Sequence, residues 1–207
     1  MGTVRDTKKR ETRQRISDVA TEMFFARGFD AVTVDEIAAA ANVSKMTVFN
    51  YFARKEELML DLEDELTLQP FRQAVRERSD AQSPIDALRA LLPRMRDNKS
   101  PLLYMSRRAV SWWEVVNASP TLKSRLHELS DEAAERLAQE LAGPNPGGAS
   151  RLAAGLIVLS VRTAREEAVR LFGRGSSAKK ANAAFFQLVE SGLTSAELLL
   201  HDPAAHI

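Results

Sequence analysis

The chain has 207 residues, 44% hydrophobic and 28% charged, with a net charge of +1 and no cysteine. That length and apolar fraction fit a packed protein of one or two domains and exclude an intrinsically disordered chain. Without cysteine there is neither a disulfide framework nor thiolate metal ligation, and a charge so near zero argues only weakly for a polyanionic partner.

Local charge is more informative. Arg5, Lys8, Lys9, Arg10, Arg13 and Arg15 stand against Asp6 and Glu11, so a basic arm leads into the first helix. No apolar stretch follows it as an export signal requires, and the most hydrophobic run, 155–161, is too short to span a bilayer; a cytoplasmic protein without a membrane partner is expected. Ile16, Val19, Ala20, Met23 and Phe24 form one helical stripe that ends at Gly28, a residue suited to a left-handed stop. Thr33 and Glu36 then fit a capping box, which starts a helix near Val34 carrying Ile37, Ala38 and Ala41 at helical spacing. Asn42 tolerates left-handed backbone, Val43 follows, and Ser44 is a second cap residue. Two helices joined by so short a turn must cross, which is the helix-turn-helix arrangement that enters a DNA groove.

On the second of these helices, 45–52, Val48 and Phe52 share a face with Thr47 and Tyr51 beside them, while Lys45 with Phe49 and Met46 with Asn50 lie opposite. Val48, Tyr51 and Phe52 are expected to hold the module together and Lys45, Met46, Phe49 and Asn50 to face DNA. Asn50 offers paired donor and acceptor groups to an adenine edge, and Met46 or Phe49 an apolar surface to a thymine methyl. Ser44, the first amides of the helix and Lys45 favour phosphate. Thr33, Thr47, Tyr51 and Lys55 are further phosphate candidates, contacts that set register without reading sequence. The competing reading of Met46 and Phe49 is packing inside the domain, the commoner fate of an aromatic at helical spacing.

Past Phe52 a charged helix is expected from about Lys55 through Leu58, Leu62 and Leu66, with Pro70 kinking or ending it. Ser83-Pro84, Ser100-Pro101 and Ser119-Pro120 each set a cap residue before a proline at the first helical position, so three helix starts are expected. A Gly-Pro-rich loop at 143–148 precedes two long helical patterns at about 150–172 and 178–201. No run alternates as a strand would, and the expectation is an all-α fold of about nine helices. In the last two helices small and large apolar residues alternate: Ala153, Ile157, Ala164 and Ala168, then Ala181, Ala184, Phe185, Leu188, Gly192 and Ala196. Glycine inside a helix costs about 1 kcal/mol relative to alanine, which a close-packed neighbour would explain. A four-helix interface between two copies supplies one; ordinary core packing within the chain is the alternative.

The elements from the apolar helix ending in Phe24, Phe25, Gly28 and Phe29, through Thr33-Val34, Ile37-Ala38, Ala41, Val43-Ser44, Thr47 and Tyr51-Phe52 to Lys55-Glu56, occur in one order at one spacing. Over 13–58 the chain resembles the DNA-binding domain of the tetracycline-repressor (TetR) family of bacterial regulators. The resemblance implies a three-helix DNA-binding domain at 1–57 and a helical effector-binding and dimerisation domain at 58–207. It implies a homodimer through the last two helices that binds a double-stranded palindromic operator and responds to a small-molecule effector. Three positions depart from the family pattern: Met46 where glycine is usual, Phe49 where tyrosine is usual, and Ala53-Arg54 in place of a proline or glycine followed by a cap residue. Phe49 has no hydroxyl to donate to phosphate and Met46 is bulkier at the groove surface, so operator preference is expected to differ.

For an effector, 100–120 is the place to look, with Leu103, Tyr104, Trp112, Trp113 and Val116 as aromatic and apolar walls beside Arg107, Arg108 and Glu114. Adjacent helical residues point about 100° apart, so one tryptophan is expected to face inward and the other elsewhere. Arg162 and Glu166 orient a polar ligand group if they face the cavity; a surface ion pair is the plainer reading. No cofactor or metal is expected, since three histidines and no cysteine leave little catalytic material and the phosphate-loop and zinc-helix motifs are absent. The competing class is a helical-bundle carrier or enzyme without DNA binding.

Overall fold

The structure, a computed structural model, describes residues 4–60, 66–100 and 104–201. Among the described residues there are nine α-helices and no strand: α1 Val4–Arg27, α2 Val34–Ala40, α3 Lys45–Tyr51, α4 Gln69–Arg76, α5 Pro84–Asp97, α6 Arg107–Ala118, α7 Pro120–Ala142, α8 Gly148–Gly173 and α9 Ala178–His201, with a 3-10 turn at Lys55–Leu58. None is long and apolar enough to cross a membrane. Two compact units result, one formed by Met1–Leu62 with Ser111–Arg125, the other by Glu63–Val110 with Leu126–Ile207. The first unit therefore ends later than the division at 57 read from the sequence and takes in a distant segment that the same reading assigned to the second domain.

In the first unit local signals act as written. Gly28 takes φ +81° and its N–H bonds the Phe24 carbonyl, ending α1. Asn42 takes φ 53° at the turn, a conformation its short polar side chain tolerates. Ile16, Ala20, Phe24, Ile37, Val48 and Phe52 are buried to within a percent of completeness and form the core of the three crossed helices. Burying a side chain of this kind contributes about 1.5 to 3 kcal/mol. Trp113, Val116 and Leu122 of the inserted segment are buried in the same unit. Two hydrogen bonds fix that segment: Trp112 Nε1 donates to the Met59 carbonyl at 3.0 Å, and the Ser119 hydroxyl to Asp30 Oδ1 at 3.0 Å.

In the second unit α8 and α9 pack along each other and α5 packs on α4 and α9. Arg89 of α5 donates to Glu190 at 2.8 Å and to Glu197 at 2.7 Å on α9, hydrogen bonds that raise its pKa further above its ordinary value. Asn182 reads out as a backbone clamp: its carbonyl accepts the Met105 N–H at 2.8 Å and its amide donates to the Met105 carbonyl at 3.0 Å.

Two expected elements differ. The helix expected from Lys55 to Leu66 is, in its described part, a 3-10 turn at Lys55–Leu58 followed by non-helical Leu60, and the stretch through Leu62 lies outside the described residues. Of the three Ser-Pro pairs, Ser83-Pro84 and Ser119-Pro120 start α5 and α7, but Pro101 lies outside the described residues, 104–106 is non-helical and α6 begins at Arg107. There Ser106 is the cap, its hydroxyl accepting the Ala109 N–H at 3.1 Å. Pro70 sits in the first turn of α4, where its missing N–H leaves no helical bond unmade.

Candidate nucleic-acid interface

α2 and α3 are set by their caps. Glu36 Oε2 accepts from the Thr33 N–H at 2.7 Å and from the Thr33 hydroxyl at 2.8 Å, while the Thr33 hydroxyl oxygen accepts the Glu36 N–H at 3.2 Å. Arg27 donates to the other carboxylate oxygen at 2.8 Å. The Thr33 backbone hydrogen bond first, then Arg27, hold the Glu36 carboxyl at about 2. Both donors of Thr33 are thereby committed to Glu36, which takes its hydroxyl away from the phosphate role read from the sequence. Ser44 caps α3 by accepting the Thr47 N–H at 3.0 Å, and its hydroxyl shares a 2.8 Å hydrogen bond with that of Thr47. Two hydroxyl protons serve one shared bond, so one donor of the pair stays available to an outside acceptor.

α3 is two-faced. Val48 and the following Phe52 are 1% exposed, whereas Met46 is 69% and Phe49 41% exposed. Lys45 and Asn50 are exposed on the same outward side, so neither Met46 nor Phe49 is part of the core. Lys45 is not a loose cation: its Nζ pairs with Asp35 Oδ2 of α2 at 2.8 Å. Tyr51 is half-buried, and its carbonyl accepts from Arg13 of α1, whose guanidinium lies 4.2 Å from the Phe52 ring centroid. Arg13, read from sequence as part of the basic arm, is thus turned inward onto the C-terminal end of α3. Lys55 is likewise engaged inside the unit. Its Nζ donates to the Phe29 carbonyl at 2.7 Å and lies 4.2 Å from the Phe29 ring centroid, and burial lowers its pKa.

Residues 16–62 match the family model of bacterial regulatory proteins of the tetR family. Segment 16–62 is a tetR-family regulatory domain. It is 31% identical over 147 residues to the transcriptional regulator TcmR of Streptomyces glaucescens, a match covering 67% of this chain and 62% of TcmR. It is 45% identical over 51 residues to the mycofactocin biosynthesis regulator MftR of Mycobacterium tuberculosis, covering 25% of this chain and 26% of that one. The chain thus spans under two thirds of TcmR and about a quarter of MftR in these matches. In fold it is similar to SmeT of Stenotrophomonas maltophilia in its complex with triclosan, with a TM-score of 0.60 at 19% identity over 89% of this chain and 91% of SmeT. The matched 16–62 segment contains α2, α3 and the two outward apolar residues of α3.

The residues read as effector contacts are divided between the two units. Leu103 lies outside the described residues. Trp113 and Val116 are buried in the first unit, with Trp112 set edge-on to Trp113 at 4.5 Å between ring centroids. Trp113 and Val116 belong to the first unit's core, and half-buried Trp112 lies in the same unit. Tyr104 is half-buried with Lys99 Nζ 5.9 Å from its ring centroid, and Arg107 is exposed at the start of α6. Arg162 and Glu166 face each other across one turn of α8 at 3.9 Å, largely in solvent, a surface pair rather than a ligand clamp. The charged group inside is Arg165, which the sequence reading passed over: it is 7% exposed, and burial lowers its pKa to about 9. A cleft of about 290 Å³ opens elsewhere, between α4 and α5, lined by Pro70, Ala74, Leu91, Arg94 and Met95 among others.

The residues read as a dimer interface are also redistributed. Ala153, Ile157, Ala164, Ala168, Ala181, Phe185 and Ala196 are wholly buried in the single chain, and Gly192 is buried with them. The close neighbour that Gly192 demands is Ser160 of α8: a Cβ on Gly192 would lie 1.9 Å from Ser160 Oγ. Ala184 and Leu188 are half-buried. Outward-facing apolar surface on this helix pair comes from Leu152 (59% exposed), Leu159 (43%) and Leu198 (70%), none of which the small-residue pattern singled out.

Proposed function

We propose that this chain is a homodimeric transcriptional repressor of the cytoplasm that binds a palindromic DNA operator and is released by a small, largely apolar effector. The observation that carries the DNA-binding part is the division of α3, with Val48 and Phe52 buried and Lys45, Met46, Phe49 and Asn50 turned outward on a capped seven-residue helix. Such a helix fits a major groove, and its dimer reads two half-sites a helical turn apart or a multiple of one. Footprinting across DNA flanking the gene tests this: protection of a palindrome that is lost in the Lys45→Ala, Asn50→Ala variant supports the reading. Absence of any protected palindrome, or protection identical in the variant, refutes it.

Dimerisation is assigned to the outward faces of α8 and α9, because Leu152, Leu159 and Leu198 leave large side chains in water there and the small residues are spent inside the chain. For the effector the support is analogy: SmeT, whose fold this chain shares, has been captured with triclosan, and SmeT represses a multidrug efflux pump. The second unit is the effector-binding part in this reading. Equilibrium dialysis against a panel of small apolar compounds, with operator release as the second readout, checks it.

A further inference from the structure

The outward face of α3 is unusual in what it offers to base edges. Guanine is read in the major groove chiefly by arginine or lysine against O6 and N7. Between Lys45 and Tyr51 there is no arginine, and the one lysine is tied to Asp35 at 2.8 Å. An exposed pair of this kind is worth at most about 1 kcal/mol and is breakable. Breaking it, however, would leave the Asp35 carboxylate, itself mostly in solvent, facing a phosphate backbone. What the face does present is apolar: Met46 at 69% and Phe49 at 41% exposure, with Asn50 exposed beside them and its side chain making no hydrogen bond among the described residues.

Thymine is the one standard base that carries a methyl group into the major groove, and asparagine pairs two-fold with adenine N6 and N7. A thioether chain and a phenyl ring pressed onto guanine O6 or cytosine N4 would strip water from a polar atom without replacing its hydrogen bond. Pressed onto a C5-methyl they remove apolar surface from water on both sides. We propose that the half-site read by α3 is built on A·T pairs, with Met46 and Phe49 packed against thymine C5-methyl groups and Asn50 paired with an adenine edge. This rests on the DNA-binding reading above and adds to it the class of sequence recognised.

The test begins with the full-length protein and a library of duplexes randomised over the half-site, selected at low salt. Half-sites with adjacent A·T pairs are expected. In the selected duplex each thymidine is then replaced by deoxyuridine, which removes the methyl and nothing else. Each contacted methyl is expected to weaken binding about four-fold, the factor that about 0.8 kcal/mol per buried carbon corresponds to. Met46→Ala and Phe49→Ala should abolish the deoxyuridine penalty at the thymine each covers, while Met46→Leu retains it. Both side chains are exposed, and matching far-UV circular dichroism of the variants confirms folding. Selection of G·C-centred half-sites, deoxyuridine duplexes bound as tightly as the parent, or binding with no sequence preference would overturn the inference and leave DNA binding standing. A protein that binds no duplex at low salt would overturn the DNA-binding reading, and this inference with it.

Discussion

A methyl group on Gly192 has nowhere to go, since it would stand 1.9 Å from Ser160 Oγ and 2.3 Å from Ser160 Cβ. Rotating the serine relieves the first contact but not the second. Gly192→Ala should therefore destabilise the α8–α9 pair by about 1 to 3 kcal/mol, as overpacking does. A thermal melt should show a fall of several degrees, and Ser160→Gly in the same chain should recover part of it while Ser160→Ala does not. Arg13 makes a different kind of single-residue contribution. Its guanidinium covers the Phe52 ring and donates to the Tyr51 carbonyl, so it ties α1 to the end of the helix that carries the outward face. Arg13→Ala should cost about 1 to 2 kcal/mol in module stability. Arg15→Ala, an exposed neighbour on α1, should leave stability within about 0.5 kcal/mol in the same melts.

At the scale of elements, α2 stands on its capping box, and the box is sensitive to acid. Glu36 has its carboxyl pKa lowered from 4.5 to about 2 by the Thr33 backbone hydrogen bond and by Arg27. A depressed carboxylate contributes stability that is complete above the unfolded value and is lost as pH falls through the folded one. Helix content followed by circular dichroism should fall between pH 4.5 and about 2, and Glu36→Gln should flatten that part of the curve. What was legible in the sequence follows the range of the interaction. The Thr33–Glu36 box, the Ser44 cap, the left-handed Asn42 and the Gly28 stop are bonds or conformations within three or four residues, so residue type and spacing suffice to find them. The Lys55 partner is the Phe29 carbonyl, 26 positions away, and nothing local marks that contact. Trp112 looks like a cavity wall in sequence because its aromatic character is visible and its partner, the Met59 carbonyl 53 positions away, is not.

For the whole molecule the same limit applies to the α8–α9 pair. Periodicity identified α8 and α9 as a close-packed pair, but an alanine stripe reads alike whether its partner is the same chain or another, and here Ser160 and its helix answer Gly192 within the chain. In the proposed dimer the outward leucines carry the assembly. Leu152→Glu with Leu159→Glu should convert the dimer to a folded monomer in sedimentation equilibrium and abolish tight operator binding, since a single module holds only one half-site. Binding of DNA by the outward face of α3 is tested by the equilibrium affinity for a selected duplex as a function of salt. Wild-type protein should bind with log affinity falling linearly against log salt. Met46→Ala, Asn50→Ala should lose at least about ten-fold in specific affinity while keeping the slope, because base contacts specify and phosphate contacts set the salt dependence. A wild-type protein without salt-dependent duplex binding, or a folded variant that binds as tightly as wild type, would contradict it.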